Sequence, residues 1–347
     1  MDLNRYSRQM LLPQIGRAGQ EKLLASTVVL VGCGALGTAI ADGLARAGVG
    51  HLKIVDRDYI ELSNLQRQTL FDQEDIARGL PKAVAAVEKL CKVNADIKLE
   101  ALVTHLNASN ITDILSDVDL VVDGTDNFEA RFLINDACLK YNLPWVYGAV
   151  ITTYGVTMSI VPHRAACLRC LLREKPLPGT VPTADTAGVL GPAPSVIGAL
   201  EVSQALKLLL DDGHEFCGHL TQIDVWTGEW LQIQVEQDPE CPACGLRQYT
   251  YLEPEMNSAA NKAAADLVTS AYGRGAVQIS IARDVQLDLP ELAKRLSTYG
   301  PVQFNPHMLR GQIEGCEIAV FPDGRAIISG TTDEAVARAL YEKYIRL

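Results

Sequence analysis

Apolar runs set off by glycine turns and helical Ala/Leu periodicity dominate the first part of the chain. Val28 to Val31 runs into Gly32-Cys33-Gly34-Ala35-Leu36-Gly37, an Ala/Leu-rich helical pattern follows, and a second run, Leu52 to Val55, ends in Asp56. This is a strand, glycine turn, helix, strand unit with an acid about 20 residues beyond the glycines. Glycines let the backbone approach a phosphate, and a helix N-terminus offers unpaired N–H groups. Asp56 accepts hydrogen bonds from ribose hydroxyls in such units. A nucleotide is therefore expected against Gly32, Gly34, Ala35, Gly37 and Asp56.

The pattern predicts further elements. Residues 1 to 26 read as a polar, helix-forming lead-in, in which Arg5 to Gln9 (RYSRQ) lacks apolar periodicity and reads as a solvated face. Pro81 opens a helix of Ala/Val/Leu periodicity. Lys82 then sits in its first turn, where a cation opposes the helix dipole and an anion is expected beside it. Strands are predicted at Lys98 to Val103, Leu120 to Asp123, Trp145 to Ile151, Tyr154 to Val161, Leu220 to Trp226 and Trp230 to Val235. Helices are predicted near Ser109 to Leu115, at Phe128 to Tyr141 and, amphipathic, at Ser195 to Leu210. Asp126 follows a strand end, where ligands of open sheets bind, or else caps the next helix. Pro176 to Pro194 carries no apolar period and reads as a long loop.

From about Tyr251 the composition changes to an Ala-rich polar connector. A strand at Ala276 to Ala282, a short helix at Pro290 to Leu296, a hairpin around Phe321-Pro322-Asp323-Gly324 and a closing helix follow. Thr331 and Glu334 have capping-box spacing ahead of that helix. The expected organisation is an α/β domain over 1–250 and a small α+β domain over 251–347.

Length and charge narrow the functional classes. The 347 residues are 48% hydrophobic and 21% charged, with a net charge of -11, which gives no general footprint for nucleic acid. No apolar run approaches the roughly 20 residues needed to span a bilayer. The start, MDLNRYSRQM, lacks a signal peptide's apolar segment, so the cytosol is the expected compartment. Of nine cysteines, Cys33, Cys91, Cys138, Cys217 and Cys316 are scattered and read as small buried apolar residues in a reduced protein. The other four, Cys167, Cys170, Cys241 and Cys244, form two CxxC pairs roughly 70 residues apart. Four thiolates at that local spacing match a closed, structural Zn²⁺ site; a redox CxxC is the alternative.

Taken together, the glycine loop, Asp56, SNLQRQ (Ser63 to Gln68), LPK (Leu80 to Lys82), TDN (Thr125 to Asn127) and the CxxC pairs resemble the MoeB/ThiF family, bacterial relatives of ubiquitin-activating enzymes. The resemblance covers residues 1 to about 250 closely. The segment after it looks like the extension of some ThiF-type proteins. The resemblance implies a Rossmann-like adenylating domain with a mixed sheet and a structural zinc site, dimerising with two ATP sites. It implies adenylylation of the C-terminal glycine of a small β-grasp sulfur carrier ending in Gly-Gly, ThiS- or MoaD-like. The carrier would serve thiamine, molybdopterin or related thiolation pathways. By position, Gly32, Gly34, Ala35 and Gly37 approach ATP and Asp56 holds the ribose. Asn64, Arg67 and Lys82 meet the triphosphate, Asp126 holds Mg²⁺, and Arg8 reaches the partner protomer's site.

Elementary electrostatics agrees with that residue set. A carboxylate attacking a triphosphate meets a repulsion of roughly 4 kcal/mol per pair of charges about 4 Å apart at an effective dielectric near 20. Cations are required, and Arg8, Arg67, Lys82 and an ion on Asp126 would supply them. An NAD-dependent oxidoreductase leaves those residues unexplained. In the loop Pro182 to Gly188, relatives commonly carry cysteine where this chain has Ala184. A covalent enzyme–carrier step there lacks its thiol, which keeps a non-catalytic scaffold as a second class.

Overall fold

The computed structural model describes residues 3–177, 180–210, 218–253, 266–271, 275–281 and 285–346. Cys217, Ala282 and most of the connector after Tyr251 lie outside the described residues. In chain order the first elements are α1 (Gly16–Ala25), β1 (Thr27–Val31), α2 (Ala35–Ala47), β2 (His51–Val55), α3 (Gln73–Ala77) and α4 (Lys82–Val93). Next come β3 (Lys98–Leu102), α5 (Ile111–Ile114), β4 (Leu120–Asp123), α6 (Phe128–Tyr141), β5 (Trp145–Ile151) and β6 (Tyr154–Ile160). Then follow α7 (Leu168–Leu171), α8 (Ala184–Ala187), α9 (Pro192–Leu209), β7 (His219–Asp224) and β8 (Glu229–Gln234). The last stretch holds β9 (Asp266–Ala271), β10 (Ala276–Ile281), α10 (Leu289–Leu296), β11 (Val302–Phe304) and β12 (Leu309–Ile313), then β13 (Cys316–Val320), β14 (Ala326–Ser329) and α11 (Glu334–Tyr344).

The chain divides into two compact units. Met1–Asp72, Lys82–Pro182 and Ala187–Pro254 form the first; Gln73–Pro81, Thr183–Thr186 and Glu255–Leu347 form the second.

In the first unit an eight-stranded sheet has the order β3-β2-β1-β4-β5-β6-β7-β8. The first five strands in that order pair in parallel, and β6 to β8 add antiparallel. The mixed Rossmann-like sheet thus follows the sequence expectation. Val28 to Val31 and all of β4 are buried, the reason they read as unbroken apolar runs. The direction of winding reverses between β1 and β4, the kind of switch point where open sheets bind ligands. Val31 lies in register with both Val55 and Asp123. Three loops therefore leave the sheet side by side: the glycine turn, Asp56 and the Gly124-Thr125-Asp126-Asn127 turn.

One helix and the lead-in segment of this unit differ from expectation. Helix α9 starts at Pro192, not Ser195, because proline is well tolerated in a helix's first turn. It is also less one-sided than predicted: it packs on α2, where Gly43 meets Val202 and Gly198 meets Ala39, and on β5 and β6. The RYSRQ segment is a solvated face only in part: Arg5 and Arg8 are exposed, but Tyr6 and Gln9 are held by the chain. Tyr6 is buried and accepts a 2.8 Å bond from Asn94 Nδ2, while Gln9 Nε2 donates to Gln20 Oε1 and the Ala47 carbonyl. A buried aromatic anchors a segment whose periodicity carries no such signal.

The second unit holds a six-stranded antiparallel sheet, β11-β12-β13-β14-β10-β9, with a core that includes Ile279, Leu292, Leu296, Ile318, Ile328 and Leu340. The expected hairpin joins β13 to β14. Asp333, rather than Thr331, caps α11, accepting the N–H groups of Ala335 and Val336; Thr331 Oγ1 instead accepts from Asp333 N–H. Asp333 is the residue in extended backbone directly before the helix, so its carboxylate is the one in reach. Among the described residues no helix is long and apolar enough to cross a membrane.

Candidate active site and metal centre

The three glycines after β1 do different work. Gly32 has φ +88°, and a β-carbon there would lie 2.6 Å from the Gly124 carbonyl oxygen. A β-carbon on Gly37 would lie 2.0 Å from the Gly32 carbonyl oxygen, so glycine is what allows α2 to close on the turn. Gly34 is open: its nearest neighbour would be Gln68 Nε2 at 3.8 Å. It caps α2 without a side-chain bond, leaving first-turn N–H groups that suit an anion. Gln68 is buried and its Oε1 has no hydrogen-bond partner among the described residues. Space over Gly34, a free helix N-terminus and an orphaned acceptor fit a nucleotide. Ala35 is the first residue of α2.

Asp56 sits at the end of β2 and ties this edge together. Its Oδ2 accepts Cys33 N–H at 2.6 Å and its Oδ1 accepts Asp58 N–H at 2.7 Å. Burial pushes its carboxyl up, against the opposing pull of Lys82. Lys82 is buried in the first turn of α4, and the anion expected beside it belongs to the chain itself: Asp58 Oδ2 lies 3.2 Å from Lys82 Nζ. Asn64 is buried and its Oδ1 accepts Glu61 N–H at 3.0 Å, closing the short helical turn that SNLQRQ begins. Arg67, half-buried one turn on, donates to the Ser63 carbonyl at 2.9 Å. Arg8 is exposed at the entry to the Gln9–Leu11 turn, and no hydrogen bond or ion pair joins it to the other candidates among the described residues.

Asp126 is exposed after β4. It does not cap α6: Asn127 does, its Oδ1 accepting Ala130 N–H at 2.9 Å. Behind this turn lie groups that the sequence reading did not single out. Asp123 is fully buried, and Arg131, also buried, donates from Nε to Asp123 Oδ2 at 3.1 Å. Glu201 on α9 is buried with neither carboxylate oxygen hydrogen-bonded among the described residues, and burial, then Asp123, pushes its carboxyl well up. The signal available was an arginine and a glutamate inside otherwise apolar helical stretches, each of which reads as a surface charge until the packing is known.

The two CxxC pairs meet. Sγ–Sγ distances are 4.0 Å for Cys167–Cys170, 3.6 Å for Cys167–Cys241 and 3.4 Å for Cys170–Cys244, with all four atoms within 4.8 Å of one another. Zn–S bonds of about 2.3 Å in a tetrahedron place sulfurs roughly 3.8 Å apart, so the donor set fits zinc. Of the scattered cysteines, Cys33, Cys138 and Cys316 are buried as expected, whereas Cys91 is exposed on α4.

Known proteins share this architecture. The ThiF family pattern spans residues 6–243. The chain is 40% identical over 344 residues to the sulfur carrier protein ThiS adenylyltransferase of Bacillus subtilis, covering 98% of this chain and 99% of that protein. It is 40% identical to the Escherichia coli protein of the same description, covering 70% and 96%. It is 41% identical to a sulfur carrier protein adenylyltransferase of Thermus thermophilus, covering 70% and 91%. The crystal structure of E. coli MccB with ATP superposes with a TM-score of 0.61 at 24% identity, covering 70% and 75%, a likeness of fold. With its family pattern, near-full-length relatives and fold in agreement, the chain belongs to the ThiF family.

Proposed function

We propose that this protein activates a small β-grasp sulfur carrier protein by adenylylating the carrier's C-terminal glycine. A carboxylate oxygen of the glycine bonds to the α-phosphorus of ATP, the bond from that phosphorus to the bridging oxygen breaks, and pyrophosphate leaves. Near-full-length identity with ThiS adenylyltransferase supports a ThiS-like carrier and the thiazole branch of thiamine synthesis.

The observation that carries the reading is the gathering at the carboxyl edge of β1 and β2 of the open Gly34, of Asp56 bound to Cys33 N–H, and of buried Lys82 paired with Asp58. In this reading the Gly34 turn and the α2 N-terminus take phosphate oxygens, Asp56 receives the ribose hydroxyls, and Gln68 Oε1 is a further acceptor beside them. Asn64, Arg67 and Lys82 meet the triphosphate, and Arg8 comes from the partner protomer of a homodimer. Asp126 would hold Mg²⁺, which when bound offsets phosphate charge. Each repulsive pair of charges left unscreened would cost close to three powers of ten in rate. The four cysteines hold structural Zn²⁺, away from the chemistry. Reduced, scattered thiols suit the cytosol.

The test is Mg²⁺-dependent ATP–pyrophosphate exchange with β-grasp carriers ending in Gly-Gly and with the same carriers lacking the last glycine. Exchange that requires the terminal glycine is expected. ATP binding without exchange for any carrier would favour the scaffold reading instead.

A further inference from the structure

We propose that Arg131 is a positioning residue that fixes the turn carrying Asp126, acting through Thr125 and Asp123; the inference rests on the reading of Asp126 as the metal-holding carboxylate. Asp126 is exposed, and the side-chain hydrogen bond it makes among the described residues, from Asn127 Nδ2 at 3.5 Å, is at the limit of one. Its own side chain therefore does little to hold it. The Thr125 just before it is held at its N–H, its hydroxyl and its carbonyl. Asp123 Oδ1 accepts Thr125 N–H at 2.9 Å and the Thr125 hydroxyl at 2.6 Å. Arg131 Nη2 donates to the Thr125 carbonyl at 2.6 Å and to the Gly148 carbonyl at 3.0 Å, while its Nε binds Asp123.

The guanidinium is gripped in turn. It lies 5.5 Å from the Tyr147 ring centroid and 5.6 Å from that of Phe128. Beyond Gly148 the Glu201 carboxyl fills the space a side chain would need: a β-carbon on Gly148 would lie 1.9 Å from Glu201 Oε1. One planar fork thus joins the last residue of β4, the turn after it and the middle of β5. Lysine, with its three donors on one nitrogen, cannot span these acceptors together. A carboxylate that binds a cation from an exposed turn loses affinity when its backbone must be ordered on binding, and Arg131 removes that cost in advance.

Mn²⁺ binding distinguishes this from a purely structural ion pair. In the full-length protein saturated with a non-hydrolysable ATP analogue, free Mn²⁺ is followed by its EPR signal, with a thermal melt of each variant alongside. Arg131→Lys is the direct variant. Thr125→Val keeps the side-chain shape and most of the core, so it reports even where Arg131→Lys does not fold. Thr125→Val is expected to weaken Mn²⁺ binding roughly 10-fold, the lower end of what loss of a metal ligand's supporting partner costs. Thr125→Ser, which keeps the hydroxyl, is expected to bind Mn²⁺ as the parent does. Parent-like affinity in Thr125→Val, while Asp126→Ala binds weakly, would overturn the positioning role alone. Parent-like affinity in Asp126→Ala would overturn the metal role of Asp126 and this inference with it.

Discussion

The Lys82 ammonium lies 3.2 Å from the Asp58 carboxylate, on a lysine side chain that is only 4% exposed. In the proposed reading, where Lys82 meets the triphosphate, the pair is a built-in competitor, because a phosphate reaching Lys82 must displace or share it. Asp58→Asn leaves the buried ammonium short of a counter-charge in the free protein, a state that a bound phosphate relieves. The expected outcome is ATP binding tightened roughly 3- to 10-fold with a lower melting temperature, the scale of a partly exposed ion pair. Calorimetric titration with ATP checks it; weaker binding would make Asp58 a helper of the site rather than a competitor.

The metal centre predicts about one zinc per chain by elemental analysis. Cys241→Ser is expected to lose that zinc and to melt roughly 10 °C lower or more, since metal binding to a site absent from the unfolded chain is folding free energy. Full zinc content in Cys241→Ser would remove Cys241 from the ligand set.

Glu201 predicts a pH dependence. Burial raises its carboxyl well above the ordinary 4.5, so the folded protein keeps a proton that the unfolded chain releases. Its contribution to stability is complete below that ordinary value and is lost as pH rises from there towards the raised one, by up to ~1.4 kcal/mol per pH unit. Asp136, pushed up from 3.8 to about 6 mainly by burial, acts in the same direction between those two values. Glu201→Gln removes the charge without the volume. It is expected to be the more stable protein at neutral pH, with the difference closing in acid, in urea unfolding across that range. A difference independent of pH would show that Glu201 is not held neutral.

Ala184 is half-buried at the start of α8, the turn where the family resemblance implies a cysteine. Ala184→Cys is expected to form a thiol-sensitive adduct with the activated carrier when ATP is present, visible on a non-reducing gel, whereas the parent forms none at this position. No adduct would remove the loop from the mechanism.

Most of the fold was legible along the chain. Predicted β4, α6 and β5 match the observed bounds: the buried strands write their burial as continuous apolar runs, and Asn127 marks the start of the helix between them. The edges were less legible: Asp333 rather than Thr331 caps α11, and Pro192 rather than Ser195 opens α9, since adjacent residues with similar propensity compete for one place.

The glycine turn with Asp56, the strand ends and the thiolate pairs were determined by sequence alone, because each needs particular residue types at short spacing whatever surrounds them. Only the tertiary structure decided which distant groups meet. Asp58 beside Lys82, Gln68 beside Gly34, and the Asp123, Arg131 and Glu201 cluster join residues from separate elements. A charged residue in a helical stretch reads the same whether it faces water or the core. Burial, which packing settles, makes it a surface charge or a fixed part of the site.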